Sequence, residues 1–267
     1  GQRGDAYSHL AMQPVRLGKS ENWVFVTVGS MHSMGFQNDG TLWAWGANDG
    51  GQLGDGTANK VLHPARIGSA AWQTVTAGLH HSVAIKSDGS LWGWGRNEYG
   101  QLGDGTNTDH PEPAQVRALG KWQDVATGTH HSLALRTDGS MISWGRNQIG
   151  QLGDGKQKNR SRPTRIGRSQ NWRTISAKFN NCMALAMDNS IWVWGSNDYG
   201  QRAHAISPRR YTPGRIGSDN NWWRMAIGQG HCIALKTNGS LWHGGATTQG
   251  NVGMGVSANG FHSPQKS

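Results

Sequence analysis

From Ser82 to Lys86 the chain reads Ser-Val-Ala-Ile-Lys, so the larger apolar Val83 and Ile85 alternate with Ser82, Ala84 and Lys86. A period of two is that of a half-buried β-strand. Asp88-Gly89 follows and supplies the positive-φ residues of a tight hairpin, and the returning strand carries Trp92 and Trp94 on one face. The same turn recurs as Asp39-Gly40, Asp138-Gly139, Asp188-Asn189 and Asn238-Gly239. Asn tolerates the left-handed backbone that Gly adopts freely, so Asp188-Asn189 is also expected to turn. No segment carries an apolar stripe of period 3.6. The pattern predicts an all-β chain.

The hairpin belongs to a repeat of about 50 residues. One block reads "WVFVTVGSMHS", "WQTVTAGLHHS", "WQDVATGTHHS", "WRTISAKFNNC" and "WWRMAIGQGHC", opening at Trp23, Trp72, Trp122, Trp172 and Trp222. A second block, "DGSLWGWGRNEYGQLGDGT" in its second copy, follows each of them and decays in the fourth and fifth. A fixed period of this length signals a solenoid, a propeller or an array. Thirteen of the 14 tryptophans fall in three repeat columns: the five block-opening ones; Trp43, Trp92, Trp192 and Trp242; and Trp45, Trp94, Trp144 and Trp194. Only Trp223 stands outside. A buried indole removes roughly 200 Å² from water, about 5 kcal/mol gross, so the columns are expected to form the core between sheets.

Composition narrows the picture. Forty glycines and 35% hydrophobic residues would suit a loop-rich chain, but the periodicity overrules disorder. No apolar run approaches the roughly 20 residues of a membrane span, so no membrane partner is expected. Gly1 opens in mid-motif ("GQRGD", matching "GQLGD") with no signal peptide, which leaves localisation open. Cys182 and Cys232 occupy the column of Ser33, Ser82 and Ser132 and are read as small buried side chains. Net charge is +10; residues 151–215 hold 12 Lys and Arg against three Asp, a net of +9. That sector is either solvated loop or a patch for an anionic partner.

The recurring "W..V.AG..HS.AL..DGS.W.WG.N..GQLGDGT....P.RIG" resembles the repeat of the regulator of chromosome condensation family, over essentially the whole chain. The resemblance implies a β-propeller of four-stranded blades, here a single domain over residues 1–267 with about five visible units. Residues 1–22 and 250–267 cover the same part of the repeat and are expected to complete a shared blade. Family members include a nucleotide exchange factor for a small GTPase that docks on chromatin, an ultraviolet-B photoreceptor, an inhibitor of β-lactamases and bacterial effectors. The photoreceptor's Gly-Trp-Arg-His-Thr stretch is absent here, and no position is matched to the exchange factor's interaction residues. A guanine-nucleotide-exchange-type role stays open.

The candidate chemistry points to binding. His32, His81, His131 and His231 form a column, each expected to bond backbone within its own unit, since ligation at about 2 Å cannot span neighbouring units. Asp55, Asp104 and Asp154 lie in Gly-Asp-Gly turns, where Asp caps its own backbone. Neither column pairs a nucleophile with a base, and no glycine-rich phosphate loop leads into a helix, so no enzyme, cofactor or metal is expected. The departures from the repeat concentrate in and around the fourth unit. Lys178, Phe179 and Asn180 replace a Gly-led turn, and Arg202 and His204 stand where "QLGDGT" fails. Lys156, Lys158, Arg160, Arg162, Arg209, Arg210 and Tyr211 flank them. Basic side chains beside an exposed Phe and Tyr make a partner-binding mixture. The leading expectation is a non-enzymatic module for an acidic protein surface, such as a small GTPase or a histone-like partner. The alternatives are nucleic-acid binding through residues 156–215 and inhibition of an enzyme by loops of one face. Oligomeric state is not legible.

Overall fold

The computed structural model describes residue 4 and residues 16–18, 20–118, 120–168, 171–197 and 209–245. Every regular element among them is a β-strand. The first unit contributes β1 (Trp23–Val28), β2 (His32–Gln37) and β3 (Thr41–Gly46), and β4 (Val61–Ala77) runs on into the second, which adds β5 (His81–Lys86), β6 (Leu91–Gly95) and β7 (His110–Gln115). The third holds β8 (Trp122–Thr127), β9 (His131–Arg136), β10 (Met141–Gly145) and β11 (Arg160–Arg165). The fourth holds β12 (Trp172–Lys178), β13 (Asn181–Ala186), β14 (Ile191–Ser196) and β15 (Arg209–Arg215); the fifth, β16 (Trp222–Ile227), β17 (His231–Lys236) and β18 (Leu241–Gly245). All pair antiparallel in sequence order, as sheets of seven, four, four and three strands. The seven-stranded sheet is two repeats joined, because the first part of β4 pairs with β3 and the part from Trp72 onward pairs with β5.

The hairpin turns form as the pattern predicts. Asp88 Oδ1 accepts from Ser90 N at 2.8 Å and also from the Ser90 hydroxyl, and Trp92 Nε1 donates back to Ser90 Oγ at 2.7 Å. Asp188 and Asn238 repeat this with Ser190 and Ser240, and Asn189 takes a φ of 61° where its sisters are Gly. The strands, however, are not half-buried. In β5 every residue from His81 to Ile85 is buried, because the hairpins inside the array are covered on both faces by the neighbouring units. The alternation of Val83 and Ile85 with Ser82 and Ala84 therefore sorts side chains by size, with small ones on one face.

Stacking the units makes the core. The first strand of each unit packs against the second and third strands of the unit before it: Trp72, Val75 and Ala77 join Met34, Leu42 and Ala44 in one cluster. Trp94, Trp144 and Trp194 are fully buried, Trp72, Trp122, Trp172 and Trp222 nearly so, and Trp223 is half exposed. At the two ends of the described array this cover is missing. Val26 is 64% exposed where Val75 is 2%, and Leu241 is 48% exposed where Leu91 is 1%.

Between units the polar columns act as latches. Ser82 Oγ donates to Gln52 O at 2.8 Å, so its lone pair receives the Nε2–H of His32 at 3.0 Å, and Trp94 Nε1 donates to the same carbonyl at 3.0 Å. His81 with Ser132 and Gln101, and His131 with Cys182 and Gln151, repeat the arrangement. This corrects the expectation for His32, His81 and His131: each bonds the Ser or Cys of the next unit, not backbone of its own. The Ser column is small because it must fit between the imidazole and the carbonyl. Cys182 and Cys232 are buried free thiols in that column, and burial pushes the Cys232 thiol up to about 12. The described turn Asp residues cap their own backbone as expected, Thr106 N donating to Asp104 Oδ1 at 2.9 Å.

The loop glycines are set by the same contact. A Cβ on Gly103, whose φ is +78°, would lie 2.8 Å from Trp144 Nε1. Gly103→Ala is therefore expected to cost about 2–3 kcal/mol, from the left-handed backbone and the displaced indole together. Gly89→Ala, at a φ of +82° with open space around it, should cost about 1 kcal/mol. Urea midpoints of the two variants compare them directly. A Cβ on Gly4 would likewise lie 2.8 Å from Trp45 Nε1, in the manner of Gly103.

Candidate partner-binding surface

An antiparallel meander places its first and third connections at the same end. The β8–β9 and β10–β11 connections therefore share one end of the third sheet, and β12–β13 and β14–β15 share one end of the fourth. Backbone bonds from Ser30 N to Gly78 O (3.1 Å) and from Thr129 N to Phe179 O (2.7 Å) tie the first turns of neighbouring units together. These turns converge: Ser30, Gly78, Leu79, Gly128, Thr129, Lys178 and Phe179 line one narrow space. Lys178 Nζ crosses it to donate to Val28 O at 2.9 Å, 150 residues away in sequence. Burial lowers the pKa of this ammonium.

The fourth turn departs from the repeat as a coupled exchange. In the other units a glycine stands where Lys178 does, because the column histidine lies against it. A Cβ on Gly78 would be 2.5 Å from His81 Cε1, and one on Gly29 would be 2.8 Å from His32 Cε1. The fourth unit has Asn181 in place of the histidine, and its Nδ2 reaches Gln229 O at 2.9 Å. With the imidazole gone, Lys178 has room. Phe179 and Asn180 are half-buried, and Phe179 holds a φ of 51°. The expected exposed phenyl ring is thus partly covered, at the inner margin of the sheet.

The remaining basic residues lie at the outer margin, three strand steps away, about 14 Å. Lys156, Lys158, Arg162 and Arg209 are exposed. Arg160 is engaged: its Nε and Nη2 bond Asp154 Oδ2 at 3.1 and 2.9 Å, where His110 bonds Asp104 in the second unit. Burial pushes the Asp154 carboxyl up, but Arg160, Asn147 and the Lys156 amide outweigh it and hold it low. Arg210 folds over Gly214. Tyr211 is half-buried against the Gly150 turn, and its carbonyl accepts from Gly155 N at 2.9 Å. Arg202 and His204 lie outside the described residues.

Sequence reasoning missed Arg96 and Arg146, in the "WGRN" column. Arg96 Nη2 donates to Asp49 Oδ2 at 2.7 Å, beside His80 at 3.4 Å from Asp49 Oδ1. The Arg146 guanidinium lies 5.1 Å from the Tyr99 ring, which meets His130 edge-on. The signal was available: the column holds Arg in the second and third units, against Ala47 and Ser196 in the first and fourth. Among the described residues, no three His, Cys, Asp or Glu side chains are arranged to hold a metal ion, and no helix is long and apolar enough to cross a membrane.

A family model described as an RCC1-like domain matches residues 1–267. Human WBSCR16 superposes with a TM-score of 0.83 at 22% identity, over 94% of this chain and 68% of that one. Prp20p from Saccharomyces cerevisiae, described with its binding to Gsp1p and histones, superposes at 0.76 and 25% identity, over 87% and 59%. A 44-residue stretch is 41% identical to the E3 ubiquitin-protein ligase HERC2 of Homo sapiens, covering 16% of this chain and 1% of that protein.

Proposed function

Because the chain belongs to the family of RCC1-like domains, we propose that it is a non-enzymatic β-propeller module binding a protein through an acidic surface of that partner. Within this reading residues 1–267 form one propeller of four-stranded blades. The segments 1–22 and 250–267 complete a shared blade and cover the apolar faces left open around Val26 and Leu241. The partner is a small GTPase or a histone-like protein, by analogy with what the yeast neighbour is described as binding, and an exchange role is compatible with it. One observation carries the reading: Lys156, Lys158 and Arg162 are exposed, and none takes part in an ion pair among the described residues. Arg160, between them on the chain, is neutralised internally by Asp154. Cations held apart on a loop and an outer strand suit scattered carboxylates better than a continuous phosphate track.

The test is the triple reversal of Lys156, Lys158 and Arg162 to Glu. Proteins captured from a nuclease-treated lysate by the unmodified chain should be lost with the triple variant and kept with Arg160→Ala. If the sector instead tracks nucleic acid, duplex DNA should bind with a slope of log K against log salt near −3, flattened by the reversal. Capture abolished by nuclease, together with that slope, would replace the protein partner by nucleic acid.

A further inference from the structure

The first strand and the hairpin of each unit meet at a repeated position. Trp72 pairs across the sheet with Lys86, Trp122 with Arg136, Trp172 with Ala186 and Trp222 with Lys236. In the second unit Trp72 and Trp92 stand edge to face, 6.5 Å apart at 81°, and Lys86 Nζ lies 3.4 Å from the Trp92 centroid and 5.3 Å from that of Trp72. In the fifth, Lys236 Nζ lies 4.0 Å from Trp242 and 4.8 Å from Trp222. In the third, the Arg136 guanidinium lies 5.1 Å from Trp122. The second and fifth units thus present an angle of indoles and seat a lysine in it, the third sets an arginine against its single indole there, and the first places Gln37 opposite Trp23 in a Trp23–Trp43 angle of 66°.

The fourth unit keeps the angle, and among the described residues no cation is seated in it. Trp172 and Trp192 stand 5.7 Å apart at 88°, and the cross-strand position is Ala186. The space is open: a groove of about 790 Å³ runs between Ile166, Trp172, Ala186, Trp192 and Pro213. The counterpart beside the second unit, which Lys86 lines, holds about 450 Å³. Met187, 63% exposed, stands at the rim. The hairpin carboxyls of Asp88 and Asp188 are both held low first by hydrogen bonds from Ser90 and Ser190, with Lys86 adding its charge at Asp88 and Arg215 at Asp188. Asp188 faces the groove, as does Asp154, which Arg160 already engages. The cations nearby are Arg168, which lines the groove, and Arg165 and Arg215, whose guanidinium groups donate to Arg168 O and Ser218 O. An arginine there does not bar an ammonium, since Arg66 lines the counterpart groove together with Lys86.

We propose that the Trp172–Trp192 angle is a receptor for a lysine side chain of a partner protein, which supplies in trans the ammonium that Lys86 and Lys236 supply in cis. A lysine is the occupant because two sister sites hold one with the same pair of rings. The inference rests on the protein-binding reading for the carrier of that lysine, and its test leaves the basic sector untouched.

The probe is the blocked tripeptide Gly-Lys-Gly, titrated into the ¹⁵N-labelled chain while the indole N–H signals are followed by NMR, with Gly-norleucine-Gly as the uncharged control. The Trp172 and Trp192 signals should move with the lysine peptide and respond at least tenfold more weakly to norleucine. Ala186→Lys restores the residue of the second and fifth units and should abolish the response. Lys86→Ala should create a second site, seen as movement of Trp72 and Trp92. An equal response to norleucine, no response in the unmodified chain, or a response unchanged in Ala186→Lys overturns the proposal. Loss of lysate capture in the triple reversal, with the lysine response intact, would show that the two surfaces act separately.

Discussion

Trp94→Ala is expected to destabilise the protein by about 3–5 kcal/mol, the range for large aromatic truncations in a core that cannot collapse. Trp94 is fully buried, packs 5.6 Å from Trp72, and donates its indole N–H to Gln52 O of the preceding unit. Removing it empties the space between two sheets and takes one of two donors from a buried carbonyl. Gly54, on which a Cβ would lie 2.7 Å from Trp94 Nε1, would then face a void. Trp223→Ala should cost less than about 0.5 kcal/mol, as for surface substitutions generally. Its ring is half exposed with the Arg224 guanidinium 4.7 Å away, and the bond that Arg173 makes is to its backbone. Urea unfolding followed by far-UV circular dichroism compares the two. Coincident midpoints would mean that the inter-sheet column is not where the stability lies.

The second large effect is expected from acid. Burial holds the imidazoles of His32 and His131 down to about 3, and that of His81 well below its usual value. The cause is geometric: Nε2–H is spent on the next unit's Ser or Cys, and the buried Nδ1 atoms have no hydrogen-bond partner among the described residues. A proton on Nδ1 would be an unpaired buried charge. Unfolded histidine titrates near 6.5, so below that pH the unfolded chain binds protons the folded chain refuses. Stability is full above about pH 6.5 and falls as the pH drops toward 3, by on the order of 4–5 kcal/mol for each of His32 and His131. Asp124 opposes this more weakly: burial raises its carboxyl to about 6, so it regains stability between pH 6 and 4. The urea midpoint should therefore drop steeply from pH 6.5 to 4. His131→Asn, which copies Asn181 of the fourth unit, should make the fall shallower by about one proton per molecule. A midpoint independent of pH over that range would refute the latch as drawn.

The hairpins, the tryptophan columns and the Asp-capped turns were legible because each depends on residues within one repeat. An Asp-Gly step turns the same way wherever it occurs, and a tryptophan recurring every 50 residues has no efficient place but the core. The candidate surface was legible only in part. Lys156, Lys158, Arg162 and Arg209 stand exposed, as charge on a connecting stretch suggests. Arg160 reads the same in sequence but folds back onto Asp154, six residues earlier. Phe179 looked like a ring released from structural duty, yet it is half-buried in a turn whose carbonyl a neighbouring unit uses. The exchange of Gly for Lys178 was visible, and so was the exchange of His for Asn181. That the second makes room for the first was not, because nothing in one strand shows that the two side chains occupy the same space.

By itself the amino-acid sequence determined that the chain is all-β, where its hairpins turn, that the column of Trp45, Trp94, Trp144 and Trp194 and the block-opening indoles from Trp72 on are buried, and how often the unit recurs; the column of Trp43, Trp92, Trp192 and Trp242, expected in the core as well, is only part-buried. Those properties follow from local backbone preference and from the free energy of removing large rings from water. The tertiary structure decided what the units do to one another. It sent His32, His81 and His131 to the next unit's hydroxyl or thiol, brought Lys178 against Val28 and covered both faces of strands that read as half-buried. It also left the Trp172–Trp192 angle, among the described residues, without the lysine that its sisters in the second and fifth units hold. These depend on which surfaces stack, and a repeat read along its length does not contain the contacts made across it.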